Sequence, residues 1–171
     1  CLLKTKNVRS QEDARKHFHL SPHRPTVLFL GGGTGSLAIN HWVRVYGEDV
    51  LSRAQILQST GKRALGHSFP GARHAYVAQP LFVDDIQDAY MAADIVVCRP
   101  GMGTLSDLAT FKKAAILIPM PHTHQEKNAD RCAGEDAAIV LHQDRPTFEK
   151  ELGIAIDLLL SDAARRQQLG E

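Results

Sequence analysis

Short apolar runs rich in β-forming residues alternate along this chain with longer stretches of helical period. Ser10 is placed to cap a helix over Gln11–Phe18, with Glu12 and Asp13 in its first turn, where a helix dipole favours acids. Thr26–Leu30 then reads as a strand. It is closed by Gly31-Gly32-Gly33-Thr34-Gly35, and a helix is predicted from about Ser36 to Tyr46 with Leu37, Ile39 and Val43 on one face. The strand-then-helix unit recurs as Ala54–Gln58 with Thr60–Gly66, Ala75–Gln79 with Asp84–Ala93, and Asp94–Cys98 with Thr104–Lys113. It continues as Ala114–Pro119 with Gln125–Ala133 and as Ala138–Leu141 with Phe148–Gln168. Ile95–Cys98 and Ala115–Ile118 are unbroken apolar runs, the mark of strands buried on both faces. Strands alternating with helices imply right-handed crossovers, hence a doubly wound, Rossmann-like α/β fold of about six parallel strands.

Composition narrows the function. The 171 residues carry 20 Lys+Arg against 19 Asp+Glu, a net charge of +1, without the basic excess of a nucleic-acid-coating protein. The hydrophobic share of 43% supports a packed core. A membrane-spanning helix needs roughly 20 apolar residues, and the apolar runs here are far shorter, so no transmembrane segment is expected. Cys1, Cys98 and Cys132 follow no disulfide-scaffold spacing and read as reduced thiols. Cys1–Asn7 shows no signal-peptide h-region, and a first residue other than Met suggests a piece of a larger protein.

In doubly wound sheets ligands bind beyond the carboxyl ends of the strands, and four loops there are unusual. Gly31–Ser36 lets the backbone turn sharply before a helix whose amides and dipole favour an anion, most simply a phosphate. It nearly matches a dinucleotide fingerprint, but that reading needs an acid about 20 residues on. The second strand instead ends Gln58-Ser59-Thr60-Gly61-Lys62. A Walker loop would place Lys-Ser/Thr after its last glycine, and this one does not. Arg99-Pro100-Gly101-Met102-Gly103-Thr104 forms a second glycine-led junction. Asp107 lies in what reads as the first turn of its helix, where it either accepts from a ribose diol or only complements the dipole. Pro119–Asn128 is a polar, proline-stiffened loop whose Gln125 suits sugar hydroxyls. Pro80–Asp85 presents Phe82 beside its own amides, either as a platform for a flat ring or as core. His122-x-His124 lacks a third ligand at metal spacing, and His17-x-His19 on a predicted helix faces two ways, so no metal site is expected.

Taken in order, these loops resemble the C-terminal donor-binding half of MurG-type glycosyltransferases of family 28. Gly31–Ser36 is similar to that family's GGSxGA-type loop, Gln58–Gly61 to its xTG element, and Phe82–Asp85 to its F-I-x-D/E-M segment. Ala92–Asp107 is similar to its A-D-x-V-x-x-R-x-G-x-x-T-x-x-E signature, and His124–Ala129 to its H-Q-x-x-N-A. The chain departs from the pattern where Gly33 replaces Ser, Thr34 replaces Gln and Asp107 replaces Glu.

The resemblance implies the C-terminal half of a GT-B fold, with residues 1–24 a connecting helix and linker and residues 25–171 one Rossmann-like donor domain. It implies UDP-N-acetylglucosamine as donor, with Gly32, Gly33, Thr34, Gly35 and Ser36 together with Met102, Gly103 and Thr104 on the diphosphate. Phe82 and Val83 would frame the uracil and Asp107 the ribose. His124, Gln125 and Asn128 would line the sugar, Gln125 reading it. The lipid-linked acceptor, the membrane contact and the general base would belong to an absent N-terminal domain, so this piece alone is expected to be inactive. The whole enzyme is expected to be cytoplasmic and peripheral at the inner face of the plasma membrane, turning lipid I into lipid II in peptidoglycan synthesis. No cofactor is expected to be obligatory, a divalent cation being at most stimulatory. Rival readings are the donor subunit of a two-component transferase, a GT-B transferase with another glycolipid acceptor, and a sugar-nucleotide epimerase. The last needs paired acid–base groups that Asp107 alone does not supply.

Overall fold

The computed structural model describes residues 9–62, 67–72 and 74–171. In chain order its elements are α1 (Gln11–His17), β1 (Thr26–Leu30), α2 (Leu37–Arg53), β2 (Gln55–Ser59), β3 (Tyr76–Gln79), α3 (Ile86–Ala92) and β4 (Ile95–Cys98). There follow α4 (Met102–Phe111), β5 (Ala114–Leu117), α5 (His124–Gly134), β6 (Ile139–Val140), α6 (Phe148–Ser161) and α7 (Ala163–Gly170). The strands form a six-stranded parallel sheet in the order β3-β2-β1-β4-β5-β6, the doubly wound arrangement that the alternating pattern implies. Cys1–Asn7 and most of the predicted Thr60–Gly66 helix lie outside the described residues. Two compact units make up the chain, one running to Asp94 and one covering Ile95–Glu171.

In the first unit β1 pairs with β2 from Thr26↔Gln55 to Leu30↔Ser59, and every residue of both strands is buried. Ser10 caps α1 as expected, its hydroxyl accepting from the Asp13 amide. The helix ends at His17, so His19, at φ +58°, lies beyond it and not on it. Arg15 is buried with its guanidinium on Asp94 Oδ2 (2.7 Å), Ala92 O (3.0 Å) and Pro22 O (2.8 Å). Asp94 Oδ2 also accepts from the Thr26 amide at 2.7 Å, which fastens the start of β1. Gln55 serves the same end of the sheet, donating to Ser21 O and Arg24 O and accepting from the Ser21 amide.

The helix predicted to stop at Tyr46 runs on to Arg53. Gly47 reads as a stop signal, yet it is a packing notch: a Cβ there would lie 2.5 Å from Phe69 Cζ. Ile39 and Val43 are buried as expected, but Leu37 is 90% exposed at the first position of the helix.

In the second unit β4 pairs with β5 from Ile95↔Ala114 to Cys98↔Leu117, all eight residues buried. β6 flanks β5 through Ile116↔Ile139 and Leu117↔Val140. Burial pushes the Cys98 thiol up to about 12, aided by nearby Cys132, which makes it an unreactive apolar group. The single helix predicted over Phe148–Gln168 is two helices. Asp162 leaves helical geometry (φ −115°, ψ 93°) and caps α7 by accepting from the Arg165 amide at 2.8 Å.

Removing one member of a buried ion pair strands the other charge and typically costs about 3 kcal/mol or more. Asp94→Ala, which leaves the Arg15 guanidinium buried without its carboxylate and frees the Thr26 amide, is expected to lose about 3 kcal/mol in urea unfolding.

Candidate functional site

The first unit builds its part of the site by packing two loops backbone to backbone. Gly35 and Gly61 both have positive φ, +86° and +88°. A Cβ on Gly61 would lie 2.3 Å from both the N and the Cα of Gly35, and one on Gly35 would lie 2.3 Å from Thr60 O. Gly31 is equally constrained, because a Cβ there would meet the Ser36 amide nitrogen at 2.5 Å. Gly32 needs its glycine for φ +81°, with open space around it. Gly33 has neither a positive φ nor any neighbour within 4 Å of an added Cβ. A tight turn therefore accounts for Gly31, Gly32 and Gly35 but not for Gly33.

The groups of this loop divide between structure and solvent. The Gly35 N–H donates to Gly32 O at 3.0 Å within the turn. The buried Ser36 hydroxyl accepts from the Ile39 amide as the α2 N-cap. Both residues were expected to meet the diphosphate through their backbone amides; the Gly35 amide already has a partner within the turn, and the Ser36 hydroxyl is taken up by the helix it caps. Gly32, Gly33 and Thr34 are exposed in front of α2. Behind them Asn40 Nδ2 donates to Thr60 O (2.8 Å), Gln58 Nε2 donates to Asn40 Oδ1 (2.9 Å) and Tyr76 Oη donates to Gln58 Oε1 (2.7 Å).

The loop after β3 is tied to the same place, Pro80 O accepting from the Gly61 amide (2.9 Å) and the Ser59 hydroxyl (3.2 Å). The Phe82 ring is buried edge-on against Phe18, with centroids 5.5 Å apart, so the core reading of that side chain prevails over a stacking platform. Val83 is 70% exposed. It borders a cavity of about 410 Å³ whose lining mixes the carboxylates of Asp84, Asp85 and Asp88 with Arg9 and His17.

In the second unit α4 begins at Met102, two residues earlier than predicted, with Gly101 as an N-cap that offers no side chain. Met102 and Gly103 are exposed and Thr104 is half-buried, so this helix start presents backbone amides without a side-chain cap. Asp107 is consequently the sixth residue of the helix and not part of its first turn. The dipole effect fades within the first turn, so a purely dipole-complementing role for this half-buried carboxylate loses its basis.

The loop after β5 is fastened by its own polar groups. Gln125 Oε1 accepts from the Met120 amide (3.1 Å), Thr123 Oγ1 donates to Met120 O (2.8 Å), and Glu126 accepts from the His122 amide (3.2 Å). The Gln125 carbonyl oxygen is thus engaged, and its NH2 is the end with which it can address a hydroxyl. Asn128 Nδ2 donates to Pro100 O at 2.9 Å, which ties α5 to the loop ahead of α4. His124 is exposed at the first position of α5. Among the described residues there is no cluster of three or more His, Cys, Asp or Glu able to hold a metal.

Residues to which the sequence reading gave no role of their own hold the site in shape. Arg99, buried at the end of β4, donates through Nη1 to Ile118 O (2.8 Å) and Pro119 O (3.0 Å) and through Nη2 to Gln143 Oε1 (2.6 Å). It thereby joins the ends of β4 and β5 to the segment after β6. Asn40 was absent from that reading, and Gln58 entered it only as the first residue of the xTG-like element. The signal available in the sequence was a polar residue set in an apolar run, Gln58 after Ile56-Leu57 and Asn40 after Ile39.

Comparison with known proteins bears on family and fold. The model of the glycosyltransferase family 28 C-terminal domain matches residues 26–170. The chain is 33% identical, over 96% of its length, to the UDP-N-acetylglucosamine–N-acetylmuramyl-(pentapeptide) pyrophosphoryl-undecaprenol N-acetylglucosamine transferase of Corynebacterium efficiens, of which it covers 48%. It is 36% identical, over 77% of its length, to the protein of that name from Myxococcus xanthus, of which it covers 37%. The chain thus spans about half the length, or less, of these relatives. Among solved structures, MurG of Acinetobacter baumannii matches with a TM-score of 0.70 at 22% identity, over 96% of this chain and 48% of that one. The spinosyn rhamnosyltransferase SpnG, complexed with thymidine diphosphate, matches with a TM-score of 0.68 at 19% identity, over 97% and 44%. These two likenesses concern the fold.

The glycine geometry separates two kinds of substitution. Gly61→Ala places a Cβ inside Gly35 and forces a left-handed alanine, so a loss of at least about 2 kcal/mol is expected in chemical denaturation. Gly33→Ala, in open space, is expected to change stability by less than about 0.5 kcal/mol.

Proposed function

The chain belongs to the glycosyltransferase family 28 C-terminal domain family, and on that premise we propose that it is the donor-binding half of an inverting GT-B transferase. Its donor is UDP-N-acetylglucosamine. In the whole protein the sugar passes to an undecaprenyl-pyrophosphoryl muramyl pentapeptide, lipid I becoming lipid II, at the inner face of the plasma membrane. The observation that carries the reading is the start of α2: the Gly32–Thr34 backbone lies exposed in front of a helix N-terminus that has no acidic residue in its first turn, an arrangement that receives a phosphate. Consistent with a peripheral enzyme, no helix of the described residues is long and apolar enough to cross a membrane.

In this reading the first unit receives phosphate on its exposed Gly32–Thr34 backbone, and the second unit presents to an anion the start of α4, which has no side-chain cap. The Val83 segment borders the uracil, Asp107 accepts from the ribose hydroxyls, and the Gln125 NH2 donates to the hexose, with His124 and Asn128 in the same motif. An acceptor hydroxyl attacks the anomeric carbon as the bond to the UDP oxygen breaks, and the electron pair leaves with the diphosphate. Helix N-termini stabilise that growing charge more in the transition state than in the bound donor, which is what raises a rate. Because backbone amides supply this stabilisation, a divalent cation is not obligatory. The base that removes the acceptor proton belongs to the portion of the relatives that this chain does not span.

UDP and UDP-N-acetylglucosamine are expected to raise the melting temperature of the chain, and NADH is not. At 100 times the dissociation constant a ligand adds about 2.7 kcal/mol of stability. Chelation with EDTA is expected to leave calorimetric UDP affinity unchanged. Asp107→Ala is expected to weaken UDP roughly tenfold or more at an unaltered melting temperature, and unchanged affinity would remove Asp107 from the site.

A further inference from the structure

Three side chains behind the glycine loop form a chain of hydrogen bonds whose direction is forced. Thr60 O can only accept, so Asn40 turns its NH2 toward it, at 2.8 Å. That leaves Asn40 Oδ1 facing Gln58, which in turn presents its NH2, at 2.9 Å. Gln58 Oε1 then faces Tyr76, whose hydroxyl donates at 2.7 Å. Reversing Asn40 would set two acceptors together at Thr60 O and two donors together at Gln58, and reversing Gln58 would set its Oε1 against Asn40 Oδ1.

Both ends of this chain rest on α2. Asn40 lies in its first turn, with its amide bonded to Ser36 O at 2.9 Å. The Tyr76 ring stands edge-on to Phe69, with centroids 4.9 Å apart, and Phe69 fills the notch at Gly47 of the same helix. Thr60 O, the acceptor at the far end, is also the atom against which Gly35 closes. On its other side the Thr60–Gly61 strip is held to the β3 end by amide bonds to Gln79 O and Pro80 O, both 2.9 Å. Pulling on Thr60 from α2 therefore fixes how far the glycine loop stands from that strip. Burial pushes the Tyr76 phenol up to about 12, so it stays a donor at any physiological pH.

We infer that Asn40 is a positioning residue for the donor's phosphates: oriented by Gln58 and Tyr76, it holds the Gly32–Thr34 backbone in its phosphate-receiving position by clamping α2 to Thr60. The inference rests on the UDP-donor reading above. It separates Asn40 from the residues that would touch the ligand, and it restricts the clamp's effect to the phosphate end of the nucleotide.

The test measures UDP and uridine affinities by calorimetry, and melting temperatures, for the 171-residue chain and two variants. Asn40→Leu keeps the approximate size and adds no charge, but removes both the donor to Thr60 O and the acceptor for Gln58. Tyr76→Phe removes only the donor that orients the relay, and is the gentler change should Asn40→Leu fail to fold. Asn40→Leu is expected to weaken UDP roughly tenfold or more and Tyr76→Phe roughly threefold, the scale of one hydrogen bond, with uridine affinity unchanged in both. UDP affinity equal to that of the unsubstituted chain in both folded variants overturns the clamp alone. So does a parallel fall in UDP and uridine, which marks general loosening. An unsubstituted chain that binds no UDP takes down the donor reading and the clamp with it.

Discussion

Everything at the proposed phosphate end depends on two stretches of backbone that approach more closely than any Cβ allows. The Gly35–Gly61 contact contributes little attraction of its own, because two glycines have almost no apolar surface to bury. It persists because its flanks are held: Gly31 against the Ser36 amide, Thr60 and Gly61 on the β3 end, and Asn40 on Thr60. The loop shape is thus set by the protein before a ligand arrives. Donors already aimed at a site stabilise charge without the reorganisation that water would need.

The second unit meets the same need by opposite means. Where the first packs bare backbone, the second buries a guanidinium. Arg99 is expensive to desolvate, and what offsets the burial is its fork of donors on Ile118 O, Pro119 O and Gln143 Oε1. Three separate stretches of chain are fixed by one side chain, and Asn128 adds a fourth link through Pro100. Arg99 and Asn128 are therefore best understood as scaffold on which Met102–Thr104, Asp107 and the Gln125 NH2 are displayed.

The strands were legible because burial on both faces writes itself as unbroken apolar runs. β1 falls on Thr26–Leu30 as expected, and β4 and β5 shift by a residue or two at their ends. Helix ends were less legible, since a residue can serve two purposes. Gly47 resembles a terminator but is a notch for Phe69, and Asp162 lies in a helical pattern but caps a new helix. The glycine loops stood out by composition. What composition does not reveal is which group is already engaged: the Gly35 amide, the Ser36 hydroxyl and the apolar Phe82 ring all have partners inside the fold. The Asn40–Gln58 link joins residues 18 apart on different elements, a pairing set by crossover geometry that no local motif encodes.

Helix charges complete the picture. α1, α3, α5 and α6 each carry an acidic residue in the first turn, namely Glu12 and Asp13, Asp88, Glu126, and Glu149 and Glu151. α7 lacks one there but is capped by Asp162. α2 and α4 have no acid in the first turn; one is capped by the neutral Ser36 hydroxyl and the other by Gly101 without a side chain. Each helix N-terminus carries roughly half a positive elementary charge. In five helices a carboxylate on the same chain complements it, and in the two behind the glycine-led loops none does from cap or first turn. An acid at either start would stabilise the free protein but repel a diphosphate, most strongly as the leaving group gains charge. Leaving these two helix ends without one lets the negative partner come from the ligand, and makes their electrostatic contribution largest when the glycosidic bond breaks.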